Sequence, residues 1–166
     1  MQKGFPFPSI VVSLVAAIVF LTGCGSRDEN ATKFVEGLVP VTGVVTQEGQ
    51  PVPGVQVIYF VDPSTGTAGP RAWGVTDENG KYSLVTYVPG SGNDSADGAL
   101  PGDYRVMIQK LVMPDGGPVP EETTDADAEA LGARQMLLPK YSSPTASQLK
   151  ATVNAESTVN DFVLAK

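Results

Sequence analysis

Little in this chain is equipped for acid–base or nucleophilic chemistry. It has no histidine and one cysteine, Cys24. Without histidine, the serine–histidine–aspartate arrangement, the histidine zinc sites and the commonest general base at neutral pH are removed. Carboxylates remain. Asp94 with Asp97, and Glu121 with Glu122, are spaced as acid–base pairs. Both pairs lie in loop sequence without apolar neighbours to raise a pKa, so they read as solvated charge. The run Asn93-Asp-Ser-Ala-Asp-Gly98 sets Asn93, Asp94 and Asp97 ahead of a glycine, like part of a calcium loop. Such a loop needs a bidentate glutamate at its twelfth position, and counting from Asn93 that position is Tyr104. These three are weak candidates, and no metal or cofactor is expected. Trp73, Tyr87 and Tyr59 offer a platform for a sugar, but the burial tendency of aromatics favours core positions. No enzymatic activity is expected.

The cysteine belongs to a different chemistry. Lys3 is the one charge before it, Ile10 to Leu21 is almost unbroken in apolar residues, and Leu21-Thr-Gly-Cys24 follows. A basic start, a short apolar stretch and a small-residue cleavage site describe a secretory signal over residues 1–23. A membrane-spanning helix needs about 20 apolar residues, and Pro6, Pro8 and Gly23 close this run early. Leu-Thr-Gly-Cys resembles the lipobox of bacterial lipoproteins. The resemblance implies that Cys24 is acylated with palmitate-type chains and becomes the first mature residue, with no thiol left as nucleophile. One buried chain anchors weakly and two or more hold firmly, at roughly 0.8 kcal/mol per CH₂. Gly25, where an aspartate is absent, favours the outer membrane by the same resemblance.

Cleavage before Cys24 leaves residues 24–166, enough for one domain with its own core. Loss of Lys3 takes the net charge from −7 to −8. A nucleic-acid binder must supply cations to displace phosphate counterions, so none is expected as partner. The excess of acids also argues against electrostatic attraction to anionic lipid; it reads as solubility through self-repulsion. The expected partners are the membrane, through the lipid on Cys24, and an envelope protein or glycan.

Most of the chain must then position turns. Residues 24–38 read as a lipidated N-terminus and short tether, polar and mixed in charge. Gly74 to Thr86 reads as a β-hairpin about Asp77-Glu-Asn-Gly80, since Asn-Gly tolerates positive φ. Tyr82, Leu84, Thr86 and Val88 then share one face. Val55 to Val61 is apolar on both faces, the mark of a covered central strand. In Tyr104 to Lys110 the alternation turns Tyr104, Val106 and Ile108 inward and Arg105, Gln109 and Met107 outward. With Val41–Thr46, Arg71–Thr76, Gln148–Val153 and Thr158–Ala165 these make seven strand runs, an all-β pattern with no helix between strands. Pro114 to Glu129 holds six acids and no basic residue. Within it Thr124 to Arg134 is open between a short helix, capped at Thr124 or Asp125, and a disordered loop. Leu138-Pro-Lys-Tyr141 reads as the point where the chain redocks on the core.

Val41-x-Gly43-x-Val45, Gly49-x-Pro51-x-x-Gly54-Val55, Thr76-Asp77-x-x-Gly80-x-Tyr82-x-Leu84 and Pro101-Gly102-x-Tyr104-x-Val106 together resemble the carboxypeptidase regulatory-like domain. Leu138-Pro-x-x-Tyr141 and the last two runs are similar to the tail of small bacterial lipoproteins that carry this domain alone. The resemblance covers residues 39–166. It implies a seven-stranded antiparallel Greek-key β-sandwich of transthyretin type. Transthyretin-like hydrolases share that fold but use histidines that this chain lacks. The matched residues have structural work: Asp77 accepts from turn amides, Gly80 takes positive φ, and Pro101-Gly102 sets a turn before an inner strand. None is expected to catalyse.

Overall fold

The computed structural model describes residues 29–62, 64, 68–120, 122–156 and 158–165. The signal segment and Cys24 lie outside them. The described chain is mostly strand, and each of the seven expected runs contains one. A six-stranded antiparallel sheet has the order β11-β8-β3-β4-β6-β7. These are Leu149–Val153, Gly102–Gln109, Gln56–Val61, Ala72–Val75, Val85–Tyr87 and Ser95–Asp97. Strand β3 lies inside this sheet, bonded to both β8 and β4, as its two apolar faces require. The second sheet centres on β1 (Thr42–Gln47), which pairs with β2 (Gln50–Pro51), β5 (Lys81–Ser83) and β12 (Phe162–Leu164). The β1–β12 pair is parallel, a departure from an all-antiparallel arrangement. A small ladder joins β9 (Leu111–Val112) to β10 (Arg134–Gln135).

One core lies between the two sheets. Val41, Val45, Tyr82, Phe162 and Leu164 enter it from the β1 side, and Val57, Tyr59, Tyr104, Val106 and Ile108 from the β3 side. Gly43 is held tightly between strands of its own sheet, where a Cβ would collide with the Asn160 carbonyl. Strand parity explains this inward set, because alternate residues of each run face one side.

The expected hairpin is only half present. The turn closes through Gly80 N–H to the Asp77 carbonyl (2.9 Å) and Asp77 N–H to the Lys81 carbonyl (2.8 Å). Its arms then part: β4 pairs with β3 and β6, whereas β5 pairs with β1. The chain changes sheet at Leu84, whose amide donates to Val41 O (2.9 Å) while its carbonyl accepts from Gly98 N (2.7 Å). Tyr82, Leu84 and Thr86 stay buried on both sides of the switch, so one alternating run serves two sheets. Gly74 lets the arms cross, since a Cβ there would strike the Ser83 carbonyl. Gly80 has φ of 73° and Asn79 is not left-handed, so the turn is not the two-residue Asn-Gly type.

Among the described residues three helices fill the ends. The stretch read as a tether folds from Glu29 to Glu36 as α1. It leads to a bridge between Val39 and Ala99. Within the acidic stretch, Asp125–Ala130 forms α2, with Thr124 as N-cap accepting from Asp127 N. Helix α3, Pro139–Ser142, buries Tyr141 in the core, and the Tyr141 hydroxyl accepts from Ala165 N (2.9 Å). The β-sheet thus has two distinct ends. Helix α1, the 88–94 turn and the Pro101-Gly102 bend lie at the Gly102 end of β8; the Asp77–Gly80 turn, Pro53-Gly54 and the acidic segment lie at its Gln109 end.

Candidate functional site

The outer face of the six-stranded sheet carries the polar groups that converge. Gln56, Ile58 and Phe60 of β3 alternate there with Arg105, Met107 and Gln109 of β8. Met107, expected outward, does occupy this face yet is buried, beside its buried partner Ile58. The face is covered at that point, which single-strand alternation cannot reveal. At the Gln109 end, the Gln109 side-chain amide donates to Gln56 Oε1 (2.6 Å) and to Asp125 Oδ2 (2.7 Å). That second bond ties α2 to the sheet. Lys110 donates its ammonium to the Pro53 carbonyl (3.0 Å), and its amide bonds Gln135 Oε1 (2.9 Å). These groups line an open groove of about 500 Å³, with Val75 as part of its apolar wall. An ammonium, two amides and one carboxylate on an apolar trough can orient a polar ligand by hydrogen bonds. They do not make a nucleophile–base pair.

Next to the groove, along β4, Trp73 is half-buried on the same outer face, not in the core where it was expected. Ala72 and Gly74 take the inward positions on that strand. Trp73 and Tyr87 lie 6.4 Å apart at 33°, as diagonal neighbours on adjacent strands. The Trp73 indole N–H is shielded from solvent with no acceptor among the described residues. Tyr59, the third member of the expected platform, is fully buried on the opposite face. Its hydroxyl lies 3.0 Å from that of Tyr82, which donates to Asn160 O (2.6 Å). Because Tyr82 spends its proton on Asn160, Tyr59 is the donor between the phenols. Burial pushes Tyr59 up to about 12. Burial, then the charge of Tyr59, raises Tyr82 further.

The remaining candidates are dispersed. Asp97 is on β7 opposite Val85, facing outward. Asn93 and Asp94 precede that strand and are exposed. Asp94 lines a second groove, about 730 Å³, between α1 and residues 88–96. Among the described residues no three histidine, cysteine, aspartate or glutamate side chains group as metal ligands do. Glu122 is exposed with φ of 68°, and Glu121 lies outside the described residues. Asp77 Oδ1 accepts from Asn79 N (2.8 Å) and Lys81 N (2.9 Å). Pro101 is exposed at a bend, and Gly102 opens β8 opposite Val153. Gln56, Gln109 and Lys110 were not singled out from sequence as site residues, and Asp125 was read only as a possible helix cap. Their one signal was a pair of glutamines at the ends of otherwise apolar strands.

No protein-family model and no curated protein matches this chain. Among solved structures it is similar to a 9R-lipoxygenase from Cyanothece PCC8801, at 20% identity and a TM-score of 0.34. The match covers 80% of this chain and 17% of the lipoxygenase, so the chain spans under a fifth of that protein's length. A likeness at that level says nothing about fold or chemistry here.

Proposed function

We propose that this chain is a lipid-anchored module of the bacterial cell envelope, outside the cytoplasm, that binds partners and catalyses nothing. We read its domain as a seven-stranded Greek-key β-sandwich of the carboxypeptidase regulatory-like type. The observation that carries the function is Leu21-Thr-Gly-Cys24, at the end of an apolar run and separated from α1 by four residues. Acyl chains on Cys24 give residence at the membrane, and the folded domain presents surfaces for contact. In support of the sandwich, its two sheets share one core, and the seven main runs supply β1, β3, β4, the divided β5–β6, β8, β11 and β12. A globomycin-type block of lipoprotein processing should leave a longer precursor in membranes. A protein that runs unchanged and stays soluble refutes the anchor.

A second reading, a glycan-binding module, is favoured by the Trp73–Tyr87 pair beside the Gln56–Gln109–Asp125 groove. The surface that supports it is the outer sheet face, not a calcium loop at Asn93. A thermal-shift screen with neutral oligosaccharides and with calcium separates these readings. A shift with sugar that disappears in Tyr87→Ser supports the face; no shift with any sugar removes it.

A further inference from the structure

The two ends of the β-sheet differ in distance from the anchor. Four residues separate Cys24 from Glu29, the first residue of α1. Whatever path they take, a trans backbone spans at most about 3.6 Å per residue, so the lipidated sulfur is held within about 20 Å of that helix. Helix α1 is not a free stalk. Ala31, Thr32 and Val35 face Gly90, Ser91 and Asp94 across a cleft at the Gly102 end. The opposite end lies one β8 length away, about 26 Å for eight residues.

Resting on the anchored reading, we propose that the Gly102 end, formed by α1 and the 88–94 turn, lies against phospholipid headgroups, and that the Gln56–Gln109–Asp125 groove points away from the membrane. The short tether sets this direction. The groove is then open to partners arriving through the aqueous side, whereas Asn93 and Asp94 face the lipid surface. A ligand loop at 89–100 would be hindered by the bilayer.

The test uses the full lipidated chain on vesicles of phosphatidylcholine and phosphatidylglycerol that carry a headgroup quencher. Acylation blocks the Cys24 thiol, so the variants Asn93→Cys and Glu78→Cys each take one fluorophore; both positions are exposed. The label at 93 should be quenched several-fold more than the label at 78. Equal quenching, or stronger quenching at 78, in protein that floats with the vesicles overturns the orientation alone. Protein that fails to float, with Cys24 itself accepting label, overturns the anchor and the orientation together. Insertion of a twenty-residue Gly/Ser linker before Glu29 should reduce the difference, because such a linker reaches about 25 Å on average. An undiminished difference would show that the tether does not set the orientation.

Discussion

The two faces of the six-stranded sheet use the same kinds of residue for opposite ends. Against the inner face Tyr59, Tyr104 and, from the second sheet, Tyr82 are buried, and every one of these hydroxyls has a partner. Tyr59 to Tyr82 to Asn160 crosses from one sheet to the other, and Phe162 lies within 6.4 Å of both ring systems. On the outer face Trp73 and Tyr87 lie tilted to each other in partial exposure, and the indole N–H has no acceptor among the described residues. A buried polar group is affordable only when it is bonded. The inner aromatics therefore hold two sheets in register, and the outer pair is tolerated as surface that contributes little to stability. The difference separates the part of the molecule that folds it from the part available to a partner.

The strongest way to break this contrast is alkaline pH. A phenol held protonated by burial binds its proton more tightly in the fold than in the unfolded chain. Its contribution is complete below about pH 10 and is lost as pH rises through about 12 for Tyr59. Denaturant unfolding followed across that window should lose about 3 kcal/mol, since each pKa unit is worth about 1.4 kcal/mol. Stability that is flat from pH 9 to 12 would mean that the inner hydroxyls are solvated. Next in size, Tyr82→Phe removes both bonds of the relay and strands the Tyr59 donor and the Asn160 carbonyl. It should cost about 1–3 kcal/mol by urea denaturation. The smallest effect sharpens the contrast from the other side. Trp73→Phe deletes an N–H that has no acceptor, so its destabilisation should stay below about 1 kcal/mol, from lost ring area alone. A loss as large as that of Tyr82→Phe would place Trp73 in the core after all.

Much of the inner face was legible beforehand. Tyr82, Leu84, Thr86 and Val88, and Tyr104, Val106 and Ile108, fall inward as their alternation requires, because a strand has no other way to present every second residue. The turn acceptor at Asp77 was legible as well, since an Asx side chain two residues before an amide bonds locally. The outer face was not. Met107 is buried and Trp73 half-exposed because what covers them is brought there by segments distant in sequence. The Gln56–Gln109–Asp125 chain joins residues separated by 53 and 16 positions, and no local pattern records such a meeting. The hairpin failed for the same reason. Its turn is a property of four residues, whereas the choice between β1 and β3 as partner is a competition between whole sheets.

From the order of residues alone come the strand runs, their inward faces and the Asp77–Gly80 turn, because each depends on steric and hydrogen-bonding preferences within a few neighbours. The tertiary structure decided the switch of sheets at Leu84, the parallel pairing of β1 with β12, the folding of α1 beside the 88–94 turn and the groove beneath α2. Each of these depends on which distant surfaces bury one another most completely, and that is a comparison the chain makes only once it has closed around its core.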